Sequence, residues 1–326
     1  MTLRLSVHRS RWRAHVDLLR ATVPDLVPVV KGNGYGFDRA VLAAEAATWA
    51  PEVALGTLHE LPATNPGGTT WTVLTPALTV PALPGWAVPT VGRAEHVRAL
   101  ADASWRGRVN VKLRSSMHRY GVTPDELPAL LEAVRTAGFE PHAFVIHPPL
   151  ANDDTPARST AEASNVDEIE RWLAHLDPAI ALSVSHLGPV AYVALRERHP
   201  DRRFRLRAGT ALWHGDKAAF HLSADVLDIG RVRAGDHIGY RRTAAPADGH
   251  VVMVGAGSSH GVAPLADGRS PFHHARRRLA LVEAPHMHTS MVFVPDDEVV
   301  PAIGDRVDVQ RPLITTAVDE TVWHDD

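Results

Sequence analysis

The stretch VPVVKGNGYGFD, residues 27–38, decides how the chain is read. An apolar, β-branched strand ends in Lys31 and runs into Gly32-Asn33-Gly34-Tyr35-Gly36, after which a helical pattern begins. A lysine at the end of a buried strand loses part of its hydration, which lowers its proton affinity and makes the amine a nucleophile. A Schiff base with a carbonyl cofactor needs such a group. The other reading is a lysine whose stem lies along the strand end while its ammonium reaches water. The 34 basic residues include only three lysines, Lys31, Lys112 and Lys217. Arginine cannot stand in for an amine as base or nucleophile, so each lysine kept in so Arg-rich a chain is a candidate for a role only lysine fills.

Outward from this stretch, short β-rich runs alternate with helical patterns. Strands are expected at 26–31, 53–57, 71–75, 86–91, 108–113, 142–147, 180–186 and 204–209. Thr123-Pro124-Asp125-Glu126 has the form of a capping box with Pro at the first helical position, leading into LPALLEAVRTAG. Asn165 with Glu168 is expected to start a second helix in the same way. The Pro-rich PALTVPALPG leaves little room for a helix before the fourth strand. Eight strands in βα alternation predict an α/β fold, a (β/α)8 TIM barrel over residues 10–221, with a doubly wound sheet as the rival. Catalytic groups of a barrel stand where its strands run out into the βα loops, which is where Lys31 falls. Beyond residue 221 the runs alternate apolar and polar, with turns at Gly235-Asp236 and Gly304-Asp305. A mainly-β C-terminal domain is expected at 222–326, with residues 1–9 pairing with it.

Composition narrows the function. The chain has 326 residues, 45% of them hydrophobic and 22% charged, in the range of a folded globular protein. A net charge of −3 speaks against a nucleic-acid partner. No apolar run is long enough for a membrane span, and the N-terminus lacks a signal-peptide core. Cysteine is absent, which excludes disulfides and thiol nucleophiles and suits a cytoplasmic protein.

Several motifs resemble the alanine racemases, pyridoxal-phosphate enzymes of fold type III. Lys31-x-Asn33-x-Tyr35-Gly36 looks like their cofactor lysine motif. VNVKLRSSMHRYG (109–121), VIHPP (145–149), FRLRAGTALWHG (204–215), GDHIGY (235–240) and GDRVDV (304–309) are similar to further family segments in the same order. The resemblance implies an isomerase in which Lys31 holds pyridoxal phosphate and exchanges the Cα proton of a small amino acid. It implies that Tyr35 and the amides of Gly209 and Thr210 bind the phosphate and that Arg207 contacts the pyridine nitrogen. Arg119 would lie near the phenolic oxygen and the substrate carboxylate, and His147 beside the ring. Lys112 occupies the position of a lysine often carbamylated in the family, or else makes a plain ion pair. A head-to-tail homodimer is implied as well.

The chain departs from the family in three places. The second catalytic base, a Tyr, is replaced by Ser258 in Gly257-Ser258-Ser259-His260-Gly261. His260 is the candidate substitute, with an ordinary turn histidine as the other reading. In EAPHMHTSMVFV (283–294), Met287 fits the substrate-carboxylate role, but His288 stands where the family has Asp. His286 and His288, at i and i+2, share one face if they lie on a strand and could form half a metal site; no metal is the main expectation. The family's Asn-Ser phosphate contact falls at Pro189 and Val190, so phosphate binding leans on backbone amides, Gly188 among them. Two alternatives to racemisation follow from these departures. One is a metal-assisted lyase on D-hydroxy amino acids, as in D-threonine aldolase or D-serine dehydratase. The other is a catalytically silent pyridoxal-phosphate binder.

Overall fold

A computed structural model describes residues 2–65, 67–150 and 157–325. The chain divides into two compact units, Met1–Ala14 with Asn33–Asp38 and Asp216–Asp326, and His15–Gly32 with Arg39–Gly215. The sequence reading assigns residues 10–221 to the barrel without a break. The observed division instead places Asn33–Asp38 of the opening stretch in the β unit.

In chain order the elements are β1 (Leu3–His8), α1 (Arg9–Thr22), β2 (Leu26–Pro28), α2 (Arg39–Ala47), β3 (Glu52–Leu55), β4 (Thr70–Val73), β5 (Ala87–Val88), β6 (Thr90–Val91), α3 (Ala94–Asp102), β7 (Arg108–Lys112), α4 (Leu127–Thr136), β8 (Glu140–Val145), α5 (Ala157–Leu173), β9 (Ala181–Ser185), α6 (Pro189–Arg198), β10 (Phe204–Ala208), α7 (Thr210–Trp213) and β11 (Phe220–Val232). The barrel strands pair in parallel in the orders β2-β10-β9-β8-β7-β6 and β3-β4-β5. β5 and β6 are halves of one strand broken at Pro89, whose carbonyl accepts the Asn110 N–H. The ring closes where Val29 bridges Ala54 and Val30 donates to the Ala54 carbonyl at 2.7 Å. All eight expected strands are present, and the (β/α)8 barrel is the fold. Its strands are near-continuous apolar runs because both faces are covered.

The connections differ from expectation in two places. Among the described residues no α-helix follows β3, whereas the lack of one after β4 is what the Pro-rich stretch implies. Asn165 and Glu168 do not start a helix; α5 begins at Ala157, and both residues lie within it. Each is buried and holds other loops: Asn165 Nδ2 donates to the carbonyls of Pro149 and His186, and Glu168 accepts the Ser116 N–H and hydroxyl. Only half of the Thr123–Glu126 box is made: Glu126 accepts the Thr123 N–H at 2.8 Å, while α4 begins later, at Leu127, with Glu126 at its N-cap and no side-chain cap bond.

In the β unit, β11 runs antiparallel to β1, to Gly249–Val254 and to Arg306–Val309. β1 also pairs in parallel with Glu320–His324. Gly235 and Gly304 both take positive φ, and Asp236 and Asp305 cap their turns by accepting the N–H of Arg233 and Ala302, each at 2.7 Å. Among the described residues no helix of the protein is long and apolar enough to cross a membrane.

Candidate functional site: a cationic barrel mouth

The barrel unit gathers its chemistry at the C-terminal ends of its strands. Lys31 lies beyond β2, Lys112 ends β7, His147 follows β8, Ser185 ends β9 and Arg207 is the penultimate residue of β10. The Lys31 amine is pushed below its ordinary range by lost hydration first and by the positive charges of Arg119 and Arg207 next. Glu60 works in the opposite sense. Its carboxylate accepts the N–H of Gly56 at 2.7 Å and of Gly32 at 3.2 Å. A Cβ on Gly56 would stand 3.0 Å from that carboxylate and 3.3 Å from Lys31 Cβ, so glycine allows the close approach. Glu60 is a site residue that the sequence reading missed, because one Glu in a connecting loop carries no motif.

Arg207 is buried and donates to the Ile146 carbonyl at 2.5 Å, while its Nη1 is buried with no hydrogen-bond partner among the described residues. Burial lowers its pKa to about 10, with Glu52 opposing, so the guanidinium stays charged near neutral pH. Lys112 is also buried. Its amine is driven well below the usual lysine range by desolvation and by Arg207 and Arg119. The ion-pair reading of Lys112 finds no acidic partner among the described residues. His147 Nδ1 lies 2.7 Å from Ser185 Oγ, and its pKa is pushed down to about 2, by burial first and then by the surrounding cations. The ring is therefore neutral.

The loop carrying Arg119 turns on Gly121, whose φ of +102 and backbone contacts exclude any side chain; a Cβ there would be 2.5 Å from the Leu113 carbonyl carbon. Arg119 itself is exposed, its guanidinium 5.3 Å from the Tyr120 ring. Gly209 and Thr210 open α7, where the first amides have no preceding helical carbonyl to bond. α7 is fastened to β2 by Trp213, whose Nε1 donates to the Val29 carbonyl at 2.8 Å.

Gly188 does not offer the free amide that the sequence suggested. Its N–H donates to Glu162 Oε1 at 2.6 Å, and a Cβ there would meet the same oxygen at 2.8 Å. The start of α6 is an anion site, and the protein fills it with its own carboxylate.

Within the β unit, Tyr35 is buried with a left-handed φ of 56°. Beside it, Asn33 Nδ2 donates to the carbonyls of Leu313 and Thr316 at 2.7 and 2.8 Å, which explains the Asn of the opening motif. His260 ends the 3-10 turn Ser258–His260. It is buried, its Nδ1 accepts the Gly257 N–H at 3.0 Å and its Nε2 faces Asp319 at 3.3 Å, so neither nitrogen is free for a substrate proton. His286 and His288 do not lie on a strand. His286 donates its N–H to the Thr289 carbonyl in a reversal of the chain. The two side chains part, His286 Nε2 to Glu283 at 2.5 Å and His288 Nδ1 to Ser259 Oγ at 3.0 Å. Among the described residues no cluster of three or more His, Cys, Asp or Glu could hold a metal.

Fold and mouth together define an α/β-barrel protein with a separate β unit and a lysine set among arginines. Residues 7–216 match the family model described as alanine racemase, N-terminal domain, and the chain belongs to the alanine racemase family. It is 29% identical over 324 residues to the alanine racemase of Nitratidesulfovibrio vulgaris, covering 90% of this chain and 84% of that protein. It is 28% identical over 326 residues to that of Mycobacterium tuberculosis, covering 92% and 84%. The crystal structure of alanine racemase from Bartonella henselae with covalently bound pyridoxal phosphate superposes with a TM-score of 0.73 over 99% of this chain and 100% of that one, at 18% identity, which bears on the fold.

Proposed function

We propose that the protein is a pyridoxal-phosphate-dependent isomerase that racemises a small amino acid, alanine in the first instance. The observation that carries the proposal is the barrel mouth itself, in which a lysine of lowered proton affinity shares its surroundings with Arg119, Arg207 and Lys112. The cofactor brings a phosphate, a phenolic oxygen and a ring nitrogen, and the cationic mouth with the unpartnered Arg207 Nη1 suits that anionic, acceptor-rich group. When bound, it supplies a conjugated electron-withdrawing ring that acidifies the Cα–H of the attached amino acid.

The chain's residues then have distinct tasks. Lys31 is the anchor and, with its depressed proton affinity, takes or returns the Cα proton on one face. Arg207, fixed and charged, would donate a hydrogen bond toward the ring nitrogen without surrendering a proton. Neutral His147 would face the ring without adding charge. The amides of Gly209 and Thr210 would hold the phosphate, while Gly188 is left to Glu162. Arg119 binds the substrate carboxylate. Racemisation needs a second proton carrier, and we assign it to the β unit of a second copy in a head-to-tail homodimer. His286 has an orienting carboxylate, Glu283, and a ring nitrogen, Nδ1, with no hydrogen bond among the described residues. Met287, 67% exposed, would join it. A cytoplasmic location belongs to the same proposal.

The test is α-proton exchange in deuterated buffer. Cofactor-loaded protein is incubated with each enantiomer of alanine and of serine, and exchange is read by NMR and enantiomer ratio by chiral chromatography. Exchange with inversion from both alanine enantiomers is expected. Exchange without inversion, or none, overturns the racemase reading.

A further inference from the structure

The barrel unit has a second concavity at the opposite end of its strands from Lys31. A cavity of about 830 Å³ opens where β2, β3, β7 and β10 begin, between Leu26, Glu52, Arg108 and Arg205, with Arg20 and Trp49 on its flank. That volume is in the range of small-molecule sites. Its inner wall is built. Glu52 is buried and reaches across the bore, accepting from Arg205 at 2.6 Å, from the Thr72 hydroxyl at 2.7 Å and from His142 Nε2 at 3.1 Å. Thr72 lies on β4, next to Glu52's own β3, but Arg205 and His142 lie on β10 and β8, which do not pair with β3.

The wall carries three acids and three arginines, and one arginine lacks a carboxylate among the described residues. Each acid on the cavity wall already faces a guanidinium: Asp17 with Arg20 at 2.8 Å, Glu52 with Arg205, and Asp25 with Arg196. Arg108 has no carboxylate partner among the described residues; its Nη1 donates only to His142 Nδ1 at 3.1 Å. Trp49 Nε1 is buried with no hydrogen-bond partner among the described residues, and the Arg20 guanidinium stacks on its ring at 4.6 Å. Arg108 without a carboxylate and Trp49 Nε1 without an acceptor are the two donors that a ligand carboxylate would satisfy. One unpaired guanidinium matches a single carboxylate in its fork geometry. Val23, Pro24 and Pro51 on the same wall ask for an apolar body attached to it.

We propose that this end of the barrel is a second ligand site, for a small monocarboxylate with an apolar or aromatic body. The carboxylate would be held by Arg108 and the Trp49 N–H. The inference does not depend on the racemase reading.

The test is calorimetric titration of the full-length, cofactor-loaded protein with phenylacetate, using phenylacetamide as the uncharged control. One saturable site with a Kd of roughly 1 mM is expected, absent for phenylacetamide. Arg108→Gln should weaken binding about tenfold or more, and Trp49→Phe several-fold, since each removes one donor. Arg119→Gln, at the mouth, should leave it unchanged. No saturation by about 20 mM, equal binding of the amide, or loss in Arg119→Gln with retention in Arg108→Gln would each overturn the proposal. If Arg108→Gln fails to fold, Arg108→Lys keeps the charge without the fork and should still weaken binding; unchanged affinity in that variant likewise overturns it.

Discussion

Replacing Trp213 by Phe tests whether α7 is held in place by β2. Trp213 is fully buried, and its indole N–H is bonded to the Val29 carbonyl at 2.8 Å, two residues before Lys31. Its backbone N–H in turn donates to Gly209 at 2.9 Å. One side chain thus joins the strand that ends in Lys31 to the turn that presents Gly209 and Thr210. Phe keeps the apolar contacts but leaves the Val29 carbonyl without its donor, a cost of about 1–3 kcal/mol for a buried polar group. The smaller ring adds about 1 kcal/mol for lost contacts and a small void. A total near 3 kcal/mol corresponds to a fall in Tm of roughly 6–12 °C for a unit of this size. Thermal unfolding followed by circular dichroism on cofactor-free protein reads the stability. Titration with pyridoxal phosphate reads the geometry and should show weaker binding. A Tm within about 1 °C of the parent would refute the tether, and a lowered Tm with unchanged cofactor affinity would refute its link to the phosphate turn.

Other perturbations have equally definite outcomes. Glu60→Gln removes the carboxylate that supports the protonated form of Lys31, so the amine should deprotonate at lower pH. Acylation of the Lys31 peptide followed by mass spectrometry across pH would show the midpoint moving down, and an unmoved midpoint counts against the role of Glu60. Gly121→Ala must place a Cβ 2.5 Å from backbone at a φ of +102; the cost of at least about 3 kcal/mol should appear as a Tm drop above roughly 6 °C or as loss of soluble protein. Burial would raise the Glu52 carboxyl, but His142 and Arg205 outweigh it and hold the group below its ordinary value. Its stabilisation is therefore complete above the unfolded value of about 4.3 and is lost as pH falls through the depressed folded value. The Tm gap between the parent and Glu52→Gln should narrow below about pH 4.3, and a constant gap would show that no such linkage exists. His147, with a pKa near 2, should show no ring titration by nitrogen NMR anywhere above about pH 4.

The eight strands were legible because burial on both faces makes each one an apolar run, and such runs survive in a single sequence. Lys31, Lys112, Arg207 and His147 were legible for a related reason, since each interrupts or ends such a run. Partner choice was not. Asn165 and Glu168 carry the local pattern of a helix start, yet tertiary hydrogen bonds claim both, and α5 begins before them. Gly188 reads as an open helix amide until Glu162, 26 residues earlier, is seen to occupy it. His286 and His288 have strand spacing, but the carbonyl of Thr289 turns the chain there. Glu60 had no signal at all, because its importance comes from two glycine amides supplied by separate loops.

The most direct measurement is to locate the cofactor's attachment point. Pyridoxal-phosphate-loaded protein is treated with borohydride, digested and read by mass spectrometry, with only three lysines to distinguish. A stable adduct on Lys31 alone is expected, and Lys31→Ala should abolish it. An adduct on Lys112 or Lys217 in its place, or none on any lysine, would contradict the assignment of the barrel mouth as the site.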